Sequence, residues 1–218
     1  MNLIFDSSSI ISIATNNLLN ILRELKKQFK GDFIIPSSVK KELIDNPIKG
    51  KKYKLEALII QDLLEDKVLT IKKEKINYLM NLANSIYINK RKKIRIVHEG
   101  EIEAISMQNN NISVIDERTT RMLIENPMKL KELLEKKLHS KIHIDVKNLN
   151  EFKKLTENTK IIRSTELMTI AFEKGLFKEF IPKGKKKDFL DGLLWGLRLR
   201  GCAISSDEIN QILRLKGF

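Results

Sequence analysis

A chain of 218 residues with 42% hydrophobic and 32% charged residues can bury a full core and has the balance of a globular domain with insertions. Its net charge of +13 favours a polyanionic partner, nucleic acid above all, although a lysine-rich surface also suits thermal adaptation. The lone Cys202 excludes an internal disulfide and a cysteine-rich zinc site, no apolar run is long enough to span a bilayer, and the first residues lack leader-peptide signals, so a cytoplasmic protein away from membranes is expected.

In chain order, residues 2–5 read as a short apolar strand that delivers Asp6, and Ser7-Ser8-Ser9 opens a helix. The helical stretch runs to about Phe29, with Asn16-Asn17 kinking or dividing it. Residues 33–35 form a second buried strand, and Pro36-Ser37-Ser38 starts a helix over residues 39–44 that carries Glu42 beside its apolar face. Residues 45–50 read as a turn-rich loop, 55–64 as an amphipathic helix, 67–72 as an apolar-basic strand and 75–89 as another helix. The densest basic run, Lys90-Arg91-Lys92-Lys93-Ile94-Arg95, follows.

The segment from Gly100 to Arg121 organises the rest. Residues 101–108 form a helix on whose surface Glu101 and Glu103 stay polar, and Asn109-Asn110-Asn111 breaks it. Residues 112–115 are a β-branched strand that delivers Asp116 at its carboxyl end, where parallel α/β sheets bind ligands. Another helix starts at once and stops at Asn126-Pro127. Leu130, Leu133, Leu134 and Leu138 then make a helical stripe, residues 142–144 an edge strand and 148–155 a short helix. His139 and His143 lack a third ligand at matching spacing, so no zinc site is expected there. From Ile161 a brief strand leads to a Ser164/Thr165 cap and a helix stopped by Gly175. A basic loop at 183–187, a helix over 188–200 bearing Trp195, and a capping box at Ser205–Glu208 for a last helix complete the chain. Asp6, Glu42, Glu101 and Asp116 could each be helix-cap or surface acids, and on the residues alone that role and paired-acid chemistry both stay open.

The order strand-Asp6, then P-S-S-V-x-x-Glu42, then G-Glu101-x-E-A-I, then strand-Asp116 with Arg121 five residues on, resembles the PIN-domain nucleases, in the archaeal and bacterial variety with a G-E-x-E-A-I motif. The resemblance implies one three-layer α/β/α domain around a central parallel sheet over residues 1–218, with its core at 1–44, 97–125 and about 161–218. Residues 45–96 and 129–160 are then helical and basic insertions. It implies a catalytic set of Asp6, Glu42, Glu101 and Asp116, with Asp6, Glu101, Asp116 and Glu117 as ligands for Mg²⁺ or Mn²⁺. Glu101 stands where many relatives have Asp, and Glu117 is either a further ligand or a first-turn acid favoured by the helix dipole. Ser8, Thr119, Thr120 and Ser164 resemble the hydroxyl residues beside such sites.

Oxygen-only ligands suit Mg²⁺ or Mn²⁺ over zinc, and the activity implied is hydrolysis of single-stranded RNA, in preference to DNA. Lys51, Lys52, Lys90, Arg91, Lys92, Lys93, Arg121, Lys185 and Lys186 would hold the substrate backbone. A homodimer is expected from the family and the apolar C-terminal helices. The competing readings are a non-catalytic nucleic-acid-binding module, a ribonuclease toxin held by a small protein regulator, and a structural protein whose charge is thermal adaptation.

Overall fold

The structure is a computed structural model that describes residues 1–107 and 110–218. Strand β1 (Leu3–Phe5) is wholly buried and passes through Asp6 into α1 (Ser7–Thr15). Asn17, in the left-handed region at φ 57°, divides α1 from α2 (Leu19–Gln28). Strand β2 (Phe33–Pro36) leads into α3 (Ser37–Lys40), a π-helical turn (Lys41–Asp45) and α4 (Asn46–Lys49). Where the sequence suggests a plain helix over 39–44 and a loop over 45–50, the chain thus stays helical and widens around Glu42. Such single π-turns inside helices are frequent at functional positions.

Next come α5 (Lys54–Glu65), β3 (Thr70–Lys72), α6 (Asn77–Ala83), β4 (Tyr87–Asn89) and β5 (Lys92–Lys93). The helix expected over 75–89 is therefore cut short. Asn84 ends it by accepting the Ile96 and Val97 N–H groups at 2.7 and 3.1 Å, and the buried Ile86 and Tyr87 turn into a strand. The basic run is the tip of the β4–β5 hairpin: Lys90 and Arg91 both have positive φ, 45° and 68°, as a two-residue turn of the favoured twist requires.

Helix α7 (Glu99–Ser106) carries the G-E-I-E motif, and β6 (Ile112–Val114) leads to α8 (Arg118–Glu125). Gln108 and Asn109, where the α7 helix and its break meet by sequence, lie outside the described residues. The chain continues through α9 (Pro127–Leu138), β7 (His143–Ile144), α10 (Val146–Thr156), β8 (Lys160–Ile162), α11 (Ser164–Glu173), α12 (Lys186–Leu199) and α13 (Ser206–Leu215).

The central sheet has five parallel strands in the order β3-β2-β1-β6-β8. Its faces follow the period of two along each strand. Leu3, Phe5, Phe33 and Ile35 point into a core shared with α1, α2, α5 and the C-terminal helices, whereas Ile4 and Ile34 meet Ala104 of α7. The second core lies across the sheet, built from α6–α10. This is the three-layer α/β/α arrangement. Strand order runs outward from β1 to β3 in one direction and through β6 to β8 in the other, so the topological switch falls between β1 and β6, the position at which open α/β sheets bind ligands.

The two insertion-like segments take part in this plan. Residues 45–96 supply β3 to the edge of the central sheet, and β4 pairs with β7 of the 129–160 segment in a second, antiparallel sheet, Tyr87 opposite Ile144. Among the described residues no helix is long and apolar enough to cross a membrane.

Candidate active site

Asp6 leaves the carboxyl end of β1 and Asp116 follows β6 by one residue, so the two flank the switch point. Both are buried, Asp116 completely. A single hydroxyl joins them: Ser8 Oγ donates to Asp6 Oδ2 at 2.6 Å and accepts the backbone N–H of Asp116 at 3.1 Å. The Ser8 N–H also reaches Asp6 Oδ2, at 3.1 Å, capping α1, while Ser9 returns its hydroxyl to the Asp6 carbonyl.

Ser7 links Asp6 to the second acid. Its hydroxyl lies 2.8 Å from Glu42 Oε2 and 3.4 Å from Asp6 Oδ1. Glu42 is exposed on the π-turn, and its charge acts on Asp6. Burial pushes the Asp6 carboxyl up, and the Ser8 and Ser7 donors only partly offset it.

Glu101 is brought to Asp6 by Gly100. A Cβ at position 100 would lie 3.0 Å from Val39 Cγ2 and 3.2 Å from Asp6 Oδ1, so glycine lets the start of α7 approach the acid. Glu101 also closes a capping box, accepting the His98 N–H at 2.7 Å. Burial, reinforced by the charges of Asp6 and Glu117 against the His98 donor, pushes its carboxyl up to about 8. Thr120 stands near enough to ease that rise, yet its buried hydroxyl closes no hydrogen bond of full geometry among the described residues. Glu101 and Glu103, the polar residues beside the apolar face of their helix, are both buried.

Asp116 turns the other way. Its carboxylate accepts the Ser164 N–H at 2.7 Å and the Ser164 hydroxyl at 2.6 Å. These donors stand at the first turn of α11, whose N-cap is Arg163, so the expected Ser164/Thr165 cap gives way to a hold on Asp116. Arg163 in turn bonds Glu166, Glu208 and the Ala203 carbonyl, while the Ala203 N–H reaches the Asp116 carbonyl at 3.1 Å. Cys202 lies against this group, and burial together with the Asp116 charge pushes its thiol up to about 12.

Glu117 caps α8, accepting from the Thr119 and Thr120 N–H groups, which is the capping alternative for this residue. Its charge nonetheless reaches Glu101.

Three contributors are not singled out by pattern. Ser7 hides among three serines, Cys202 has no motif around it, and Glu103 looks like any second acid on a helix. Glu103 instead takes the Ser37 hydroxyl, the Ser38 N–H and hydroxyl, and the Glu74 N–H. Burial raises its carboxyl, and these donors outweigh that and hold it below the usual range. The pairing P-S-S with G-E-x-E is the signal that could have found it.

Among the basic candidates, Lys51, Lys52, Lys90, Arg91, Lys92, Lys93, Lys185 and Lys186 are exposed. Arg121 is mostly shielded, donating to the Ala203 carbonyl at 3.1 Å and lying 3.8 Å from Glu125, which leaves it bracing the site more than reaching outward. It lines a cleft of about 580 Å³ with Arg118, Lys129 and Arg198.

In chemical kind the acids fit a hard divalent cation: all are oxygen donors, and the mutual charge of Asp6, Glu42, Glu101 and Glu117 is what a cation would relieve. As they stand, hydroxyl and N–H donors occupy their oxygens, and among the described residues no three Asp, Glu, His or Cys side chains converge closely enough to enclose an ion.

No curated protein and no solved structure matches the chain. A family model described as a PIN domain (DUF3368) matches residues 2–131, the stretch holding Asp6, Glu42, Glu101, Asp116 and the first four strands of the central sheet in chain order. With the parallel sheet and the acids at its switch point, that match makes the chain a member of the PIN-domain family, whose members are generally nucleases.

Proposed function

We propose that this protein is a metal-dependent endoribonuclease that hydrolyses phosphodiester bonds of single-stranded RNA in the cytoplasm. One observation carries the reading: Asp6, at the switch point, is in electrostatic contact with Glu42 and Glu101 and joined by one hydroxyl to the Asp116 backbone. Four separate chain segments supply these acids, and charge gathered at that cost in repulsion has a use where a cation and a phosphate meet.

Asp6, Glu101 and Asp116, with Glu117 at the margin, would hold Mg²⁺ or Mn²⁺. When bound, such an ion supplies Lewis acidity to the scissile phosphate and lowers the pKa of a water molecule. The chain does the rest. Ser8 and Ser164 fix the two aspartates, Glu42 is exposed where it can orient the attacking water and is steadied by Ser7, and the exposed lysines and arginines hold the strand. Exposed Leu199 and Leu215 on α12 and α13 support a homodimer through the C-terminal helices.

The runner-up, a binding module without catalysis, draws on the lack of convergence of any three metal-binding side chains among the described residues. The deciding experiment incubates the protein with labelled single-stranded RNA, and with DNA of the same sequence, in Mn²⁺, beside an Asp6→Asn/Asp116→Asn double variant. Cleavage of RNA by the parent alone, stopped by EDTA, is expected. Equal cleavage by both proteins would sink the assignment, and tight salt-sensitive binding without cleavage would favour the runner-up.

A further inference from the structure

The acids at the switch point leave unused a cleft between α1, the π-helical turn and α5. Its volume is about 230 Å³, below the roughly 300 Å³ at which sites for drug-sized ligands begin, which suits a single planar heterocycle. Ile11, Leu43, Pro47 and Ile60 make it apolar, and two carboxylates, Glu42 and Glu56, line it as well. Tyr53 completes the lining with 56% of its surface exposed, and its backbone is left-handed at φ 61°, a costly conformation for a bulky residue that recurs at ligand clamps. Lys52 Nζ lies 4.8 Å from the Tyr53 ring centroid, and Lys51, Lys52 and Lys54 are all exposed beside it.

We propose that this cleft is a nucleobase subsite, which takes the base next to the scissile phosphate of the RNA strand, stacks it on Tyr53 and prefers guanine. The inference deepens the nuclease reading and rests on it for the choice of RNA. Glu42 ties the two sites together, since it lines the cleft and also shares Ser7 with Asp6. A base seated there brings its phosphate to the acids, and the three lysines lie where the backbone must pass. An apolar slot with an exposed aromatic and flanking cations is the composition that holds single-stranded bases.

Guanine follows from the carboxylates. Its N1–H and N2–H₂ groups are adjacent donors that one carboxylate accepts with both oxygens. Uracil offers one donor between two carbonyls, and adenine and cytosine each set an acceptor beside their amino group. Glu56 is half-buried and makes no hydrogen bond or ion pair among the described residues, so its oxygens are available for that recognition.

Binding tests this apart from cleavage. The Asp116→Asn protein in Mg²⁺ is titrated with labelled uridine hexamers carrying one central G, A or C, and anisotropy is read. The G hexamer is expected to bind about tenfold tighter than all-U. Tyr53→Ala should weaken every hexamer about tenfold, Tyr53→Phe should restore it, and Glu56→Gln should erase the preference for G alone. Tyr53 is 56% exposed and Glu56 makes no side-chain bond among the described residues that its replacement would break, and circular dichroism verifies the fold of each variant. In the parent, cleavage of a random-sequence RNA should map beside G. Equal binding of all hexamers, or a preference that survives Tyr53→Ala and Glu56→Gln, overturns the subsite, as it would if a protein segment is the true occupant. Preference erased by Glu56→Gln in a protein that cuts no RNA would keep the subsite and discard the nuclease reading.

Discussion

Ser164 closes on Asp116 with two donors at once, its N–H on Oδ1 at 2.7 Å and its hydroxyl on Oδ2 at 2.6 Å. The pair exists because β8 lies beside β6 in the sheet, so the start of α11 meets the carboxyl end of the strand that delivers the acid. Asp116 is fully buried, and neutral surroundings would otherwise make its charge expensive. Ser164→Ala should therefore lower cleavage about 10- to 100-fold, the scale seen when a residue orienting a ligand is removed, with a stability cost on the order of 2 kcal/mol. RNA affinity should hardly move. A variant with parental turnover would show that Asp116 is positioned by something else.

Glu103 is a different kind of acid. Four donors from α3 and the segment after β3 end on it, so it pins α7 to both. Glu103→Ala removes the buried acceptor of all four bonds at once and should destabilise the protein by on the order of 3 kcal/mol in urea unfolding. At a temperature where the variant is fully folded, cleavage should return to near the parental rate. Loss of cleavage in a protein of unchanged stability would instead place Glu103 in the chemistry.

The difference between Glu101 and Glu103 marks how far the sequence could be read. Short apolar runs that end in an acid placed Asp6 and Asp116 at strand ends, and the capping box at Ser205 with its helix was legible to the residue, because both signals are local. Glu103 is not legible, since its partners lie 29 to 66 residues away along the chain. Tyr87–Asn89 reads as helix by local pattern, but it is the central strand between its hairpin neighbour β5 and β7 of the other insertion, and that pairing overrides the local preference. The π-turn around Glu42 has no local signature at all. Nor does the bridge from Ser8 to the Asp116 N–H, which depends on β1 and β6 being neighbours.

Glu101 also makes stability depend on pH. Its carboxyl titrates at about 8 in the folded protein against 4.5 ordinarily. Between those values the folded chain holds a proton that the unfolded chain has released, so stability falls as pH rises from about 4.5 to about 8. At about 1.4 kcal/mol per pH unit the decline is on the order of 4 kcal/mol, and Asp6, raised by burial, acts with the same sign. Urea unfolding in EDTA across this range should show the decline, and Glu101→Gln should flatten most of it and be more stable than the parent at pH 8. A Glu101→Gln protein with the parental slope would contradict the assignment.

The β4–β5 hairpin tip separates phosphate contact from mere solvation. Lys90, Arg91, Lys92 and Lys93 are all exposed, and none forms an ion pair with a described acid. The tight turn holds the four cations on one short strand pair, so they act on a passing backbone as a group, and counterion release then dominates the affinity. Changing the turn to Asn-Gly suits its two positive φ values and keeps the hairpin, so Lys90→Asn/Arg91→Gly/Lys92→Gln/Lys93→Gln should fold as the parent does. Its dependence of log affinity on log salt should be shallower by roughly 0.7 for each phosphate no longer neutralised, and by more than about 1 in all. Titrations of single-stranded RNA from low to moderate salt measure this directly. An unchanged slope would make the run a solvated turn, and the backbone-holding role would pass to the Arg118, Lys129 and Arg198 cleft, whose own substitution should then produce the missing change.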